Sequence, residues 1–275
     1  MIEVFQHEFM RNALTAGLLA SLICGVIGSL VVVNRIVFLS GGVAHASYGG
    51  VGLAFFLGLP VLPVTAVFAT LTALLMAAVT LKARERADTV IGVLWAAGMA
   101  LGIILLDLHP GYNVDLMSYL FGSILAVPDS DLALMGGLAV VVLLVVVCCY
   151  RGFVVMAFDE EFARARGVPV AFLHCLLLAL IALCVVMVIR VVGLILVIAL
   201  LTIPPFIAER RARSLAAMMC AASLLAAVFC VSGLFASYLL DLTSGALIIA
   251  VACLGFFLSL LMPAGTARAR PAGDG

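Results

Sequence analysis

Apolar residues along this chain fall in unbroken blocks of about 20, separated by short polar punctuation, with no sustained helix- or strand-period alternation. A bilayer core needs roughly 20 apolar residues per helix. The blocks cover 10–33, 36–58, 61–81, 89–108, 131–150, 170–189, 191–208, 214–239 and 245–262, which is nine spans. The stretch 116–127 is apolar but too short to cross. It lies between Asp115 and the turn Pro128, Asp129, Ser130, Asp131, and reads as a half-helix or re-entrant piece. The pattern predicts an all-α integral membrane protein of about nine transmembrane helices plus one short half-helix. Residues 1–262 form the membrane domain, and the Gly/Ala/Pro/Arg-rich segment 263–275 reads as a disordered tail.

Composition supports the same class. Of 275 residues, 67% are hydrophobic and 10% charged, with a mean hydropathy of +1.38. A soluble domain has about 45–50% apolar and about 25% charged residues, so the polar surface here is too small to wrap a water-soluble globule. A net charge of zero and a single lysine, Lys82, exclude a nucleic-acid partner, which needs clustered cations. No glycine pattern precedes Lys82, so the chain has no P-loop and any ATP hydrolysis must come from another subunit. The first nine residues carry Glu3 and Glu8 and no early cation, unlike a cleavable signal, so the first span should be retained. The eight cysteines lie inside apolar runs, and none forms C-x-x-C. They read as small hydrophobes.

Charge orients the array. With Arg35 placed on the cytoplasmic side, twelve of the fourteen Lys and Arg residues fall on that side, leaving Arg11 and Arg190 outside. By the positive-inside rule the amino terminus is then outside and the carboxyl tail cytoplasmic. The outer side carries Glu3, Glu8, Asp107, Asp115, Asp129, Asp131 and Asp241, with His7 and His109. Such an excess of carboxylates would draw cations toward the outer mouth, although short outer loops that merely obey the orientation rule would look the same.

Three segments carry candidate chemistry. In the second span Gly42, Ala46, Gly50, Ala54 and Gly58 repeat every four residues and form a small-residue ridge that lets a neighbouring backbone approach. His45 lies beside that ridge. A histidine within a span faces protein or a watery path, and its imidazole is either a ligand for zinc-like ions or a packing group bonded to a carbonyl. On the cytoplasmic side, Asp159 can cap a short helix at about 158–168 with Glu160 and Glu161 in its first turn, Ala163 within it and Gly167 ending it before Pro169. Phe162 would project from that helix, suiting either a docking element or a solvated connection. Pro204 and Pro205 either break a pathway-lining helix or mark its early end. Enzyme signatures such as H-E-x-x-H and G-x-S-x-G do not occur, and His174, beside Cys175, reads as structural.

In order, the chain carries Gly42-Val43-Ala44-His45-Ala46-Ser47, Asp88 with Gly92, Ala100-Leu101-Gly102, Leu120-Phe121-Gly122-Ser123-Ile124-Leu125, the helix of Asp159 and Glu161, Val192-Gly193 with Ala199 to Pro204, and Ser237-Tyr238 with Asp241 and Gly245. Together these resemble the permease subunits of zinc/manganese-type ABC importers over about residues 10–262. Two positions depart from the family pattern. Gly41 stands where an aspartate usually precedes the histidine by four residues, and Thr243 stands where a proline is usual.

The resemblance implies a fold similar to the cobalamin/siderophore-type ABC importer permeases, in the bacterial inner membrane. It implies a homodimer, a separate cytoplasmic ATP-binding subunit docked at Asp159–Gly167, and an extracytoplasmic metal-binding protein. No cofactor is bound permanently; the cargo is a divalent zinc, manganese or iron ion. Pathway candidates are His45, Asp241, Asp107 and Asp115, with His45 as the metal ligand. The alternatives are a siderophore- or cobalamin-type permease, which a tenth full span or a wide apolar cavity would favour, and an ion-coupled secondary transporter, which would need several buried ionisable groups at mid-membrane. A membrane enzyme would need a catalytic cluster that the sequence does not provide.

Overall fold

The computed structural model describes residues 8–82, 86–108 and 127–261. Asp115, nearly all of the predicted half-helix 116–127, and the segment 263–275 lie outside them. The described residues form ten helices: α1 (Glu8–Val33), α2 (Val37–Leu57), α3 (Val61–Lys82), α4 (Ala87–Asp107), α5 (Asp129–Phe158), α6 (Glu160–Ala165), α7 (Val170–Val192), α8 (Leu194–Glu209), α9 (Leu215–Leu240) and α10 (Ser244–Leu261). Each of the nine predicted spans corresponds to one long helix, and α6 is the short one.

Seven helices are long and apolar enough to cross a membrane. The other two long helices are α2, diluted by serine, glycine and His45, and α8, only 16 residues long. Both are largely buried, so protein rather than their own side chains shields them from lipid. The burial gradient separates inner from outer helices. Within the spanning stretch 72% of α1 and 67% of α7 is buried, against 17% of α4. α1 and α7 therefore form the centre. α9 and α8 pack on α1, while α3 and α5 pack on α7; α2 lies between α3 and α4, and α10 closes against α9 and α8.

Three local features differ from the expectation. The fifth span does not stop at 150 but runs to Phe158. Gly152 weakens a helix without ending it, and Arg151 lies on the exposed side, where a long cationic stem can snorkel. The predicted long loop 151–169 is thereby reduced to α6 and its two short flanks. The sixth and seventh spans divide at Gly193, whose φ of 84° and ψ of 162° suit a residue without a Cβ. The prolines do not end α8, which continues past Pro204 and Pro205 to Glu209. Pro205 has no amide to offer the Leu201 carbonyl, and that oxygen lies 2.5 Å from where a Cβ on Gly28 would stand. Glycine on α1 is what admits it.

Candidate functional site

α2 and α4 run parallel and almost touch. A Cβ on Gly98 would lie 2.7 Å from the Ala46 Cα, and one on Gly102 would lie 2.5 Å from the Tyr48 carbonyl oxygen. Gly52 meets the Gly102 backbone in the same way. Lipid tails give little hydrophobic drive for helices to associate, so close packing of small residues does much of this work. α3 runs antiparallel along the same helix: Gly50 faces Thr65 and Phe68, and Gly42 faces Met76 as well as Ile91 of α4. The ridge is thus split between two neighbours, with Gly50 toward α3, Ala46 toward α4, Gly42 against both and closest to α4, and Ala54 fully buried. Gly58 is not part of it. It caps α2 at φ 65°, and its missing Cβ faces open space.

The tight α2–α4 contact brings His45 against Trp95. The rings stack with centroids 4.0 Å apart and planes 14° from parallel. Phe38 lies tilted against the indole with centroids 6.1 Å apart, and the indole N–H donates to the Met99 sulfur at 3.3 Å. The His45 Nδ1 is buried and finds no hydrogen-bond partner among the described residues. A buried polar atom left unpaired costs about 1–3 kcal/mol, so such an atom signals a ligand or a water path. One turn below, Gly41 is buried, yet its missing Cβ would meet nothing within 4 Å. The small-residue ridge and His45 were legible in the sequence; the Trp95 stack was missed. Its available signal was a lone tryptophan about two turns inside a span, away from the membrane surface where tryptophan usually anchors.

The other pathway candidates do not converge on His45. Asp107 is the exposed last residue of α4. Asp241 is exposed at the α9–α10 turn, where it caps α9 with a left-handed φ of 53°. Asp115 lies outside the described residues. Among the described residues no group of three or more His, Cys, Asp or Glu side chains is placed to hold a metal ion.

The two ends of the bundle differ. At the amino-terminal end the Asn12 amide donates to the Asp129 carboxylate at 2.9 Å, and buried Asp131 pairs with Arg190 at 3.1 Å. At the opposite end is a mainly polar cavity of about 580 Å³, lined by Arg35, Thr80, Asp88, Glu160 and His174 among others. There the His174 Nε2 and the Thr80 hydroxyl share a hydrogen bond of 3.0 Å, which joins α7 to α3. Beside the cavity, α6 is capped by Asp159, whose carboxylate accepts from the Phe162 amide at 2.9 Å. Glu160 and Arg164 pair along the helix, Ala163 is buried, and Gly167 turns the chain at φ 76°. Glu161 is exposed. Phe158 and Phe162 are exposed aromatics, and the Arg166 guanidinium lies 5.0 Å over the Phe162 ring.

A polytopic all-α bundle with one imidazole in a glycine-rich helix, a polar cavity at one end and a short exposed helix beside it is an architecture suited to membrane transport. The chain belongs to the ABC 3 transport family, whose family model matches residues 6–263. Members are the membrane permeases of ABC transporters, with ATP hydrolysis carried by a separate subunit. It is 50% identical over 260 residues to an uncharacterised membrane protein of Synechocystis, covering 94% of this chain and 92% of that one. It is 34% identical to the manganese transport system membrane protein MntC of Halalkalibacterium halodurans, covering 94% and 89%. Among solved structures, PsaBC from Streptococcus pneumoniae in complex with Fab matches at a TM-score of 0.85 and 32% identity, covering 94% of each chain. A protein described as a metal-chelate type ABC transporter, in an inward-facing conformation, shares the fold at a TM-score of 0.71 and 17% identity, covering 91% and 85%.

Proposed function

We propose that this chain is the membrane permease of an ATP-driven importer for a divalent transition-metal ion, and that His45 contacts the ion in transit. The observation that carries the reading is the buried Nδ1 of His45, unpaired among the described residues, beside the small-residue ridge of α2. Family membership and the manganese relatives supply the cargo class. The donor set favours a borderline ion such as zinc, because imidazole suits zinc whereas manganese prefers oxygen ligands and Gly41 offers none.

The end that carries α6 and most of the arginines faces the cytoplasm, by the charge asymmetry of the sequence. The capped helix Glu160–Ala165, with Phe158 and Phe162 exposed, is the docking element for a separate ATP-binding subunit. ATP-driven closure of two such subunits on a dimer of this chain would move α6 and, through it, α5 and α7. The acidic opposite end, with Asp107 and Asp241 exposed, receives the cation from an extracytoplasmic binding protein. The chain sits in the bacterial inner membrane with its amino terminus outside.

The test is ATP-dependent uptake in proteoliposomes. The permease is reconstituted with its ATP-binding subunit and binding protein and offered zinc, manganese and iron separately. Uptake of one ion that fails in His45→Ala supports both the class and the contact. Normal uptake in that variant removes His45 from the path. Uptake of a metal chelate in place of every free ion overturns the cargo assignment, and transport without the ATP-binding subunit overturns the ATP-driven one.

A further inference from the structure

We propose that Trp95 is a further cargo-contacting residue of the transport path: its indole face, stacked on His45, is the electrostatic partner of the cation that His45 engages. This rests on the reading of His45 as a cargo contact. An ion bound to a histidine nitrogen lies in the imidazole plane, about 2 Å from that nitrogen. The imidazole and indole planes are 14° apart, with centroids at 4.0 Å. Such an ion therefore remains over or beside the indole face, within the roughly 6 Å across which an aromatic quadrupole attracts a cation.

The indole is held in that pose. Its N–H is engaged by the Met99 sulfur and Phe38 lies near it at 6.1 Å, and the near-parallel stack turns the negative face, not the polar edge, to His45. The helix on which it rides cannot slip, because Gly98 and Gly102, one and two turns further on, are in backbone contact with α2. Gly41, one turn from His45, carries no side chain, and among the described residues no group of three or more His, Cys, Asp or Glu side chains could hold a metal ion. An aromatic face attracts charge without forming a coordinate bond. It raises affinity for the ion yet leaves it free to depart, as a conduction path requires.

Trp95 is the only tryptophan in the sequence, so globally replacing tryptophan with mono-, di- and trifluorinated analogues changes one ring and barely its shape. The measurement is binding of radiolabelled zinc and manganese ions, added alone, to the permease with its ATP-binding subunit in nanodiscs, without the binding protein. Expected is a dissociation constant that rises with each fluorine and reaches about ten-fold at the trifluorinated ring and in Trp95→Leu, with Trp95→Phe between. A constant that stays flat across the fluorine series, while His45→Ala abolishes binding, makes Trp95 a packing residue and overturns the proposal alone. Binding unchanged in His45→Ala overturns the reading of His45, and this proposal with it.

Discussion

Asp131, in the first turn of α5, holds Arg190, in the last turn of α7, at 3.1 Å. The carboxylate side chain is 9% exposed and the guanidinium side chain 50%, so the two partners are not equivalent. Removing the arginine leaves a charge buried, whereas removing the aspartate leaves a charge that water can reach. Arg190→Leu should therefore cost more than Asp131→Asn, about 2 kcal/mol against about 1. The double variant should recover part of the sum. Thermal unfolding in detergent, arranged as a double-mutant cycle, measures this; equal single costs would mean that Asp131 is hydrated.

The α2–α4 contact depends on hydrogen in place of a methyl group. Gly98→Val should destabilise the fold by about 1–3 kcal/mol through overpacking, because its first carbon already falls 2.7 Å from the Ala46 backbone. Gly136→Ala, where a Cβ meets nothing within 4 Å, is the neutral control. Yield of monodisperse protein and its melting temperature separate the two.

Gly41 is the converse case. Its missing Cβ also meets nothing within 4 Å, and it lies four residues before His45 on the same helix face. Gly41→Asp should be accommodated sterically and should bring a carboxylate beside the imidazole. The expected result is tighter manganese binding relative to zinc, read by competition between the two ions. An unchanged ratio would mean that the added carboxylate does not reach the ion.

Asp159 and Phe162 probe the short helix. Asp159→Ala removes the cap on α6, worth about 1 kcal/mol locally, with little effect on the bundle. Phe162→Ala removes an exposed ring and should leave the permease melting temperature unchanged. Both should weaken capture of the ATP-binding subunit, measured by co-purification. Full retention of the complex in both would remove α6 as the docking element.

Trp95 also gives an optical reading of the site. Adding the transported ion should change the indole emission through the stacked imidazole, and His45→Ala should abolish the change. A response that persists without His45 would place the ion elsewhere.

The spans were legible because lipid imposes a length on every crossing, and hydropathy alone finds it. The end of α5 was not, because Arg151 looks like a boundary yet sits on an exposed flank where a helix can continue. The pairing of α2 with α4 was also out of reach. Both helices are apolar nearly all round, so neither shows a stripe that names its partner. Glycines in each marked close packing without saying which helix each would meet. The His45–Trp95 stack follows only once that parallel pairing is known. Asp241 drew attention as an acid near a proposed outer mouth, but the left-handed turn that it caps became visible only in the structure.

The modest hydropathy of α2 has a consequence for how the protein is made. A membrane-insertion machine meets each segment as it emerges, before later helices exist. α2, with its serines, glycines and one histidine, must then be held by what is already there and by what comes next. α1 precedes it, but its tightest partner is α4, which is synthesised about 50 residues later, on the far side of α3. Its place in the membrane therefore becomes secure only when α4 arrives, and a ribosome pausing before that point leaves the helix of His45 without the wall that keeps it from lipid.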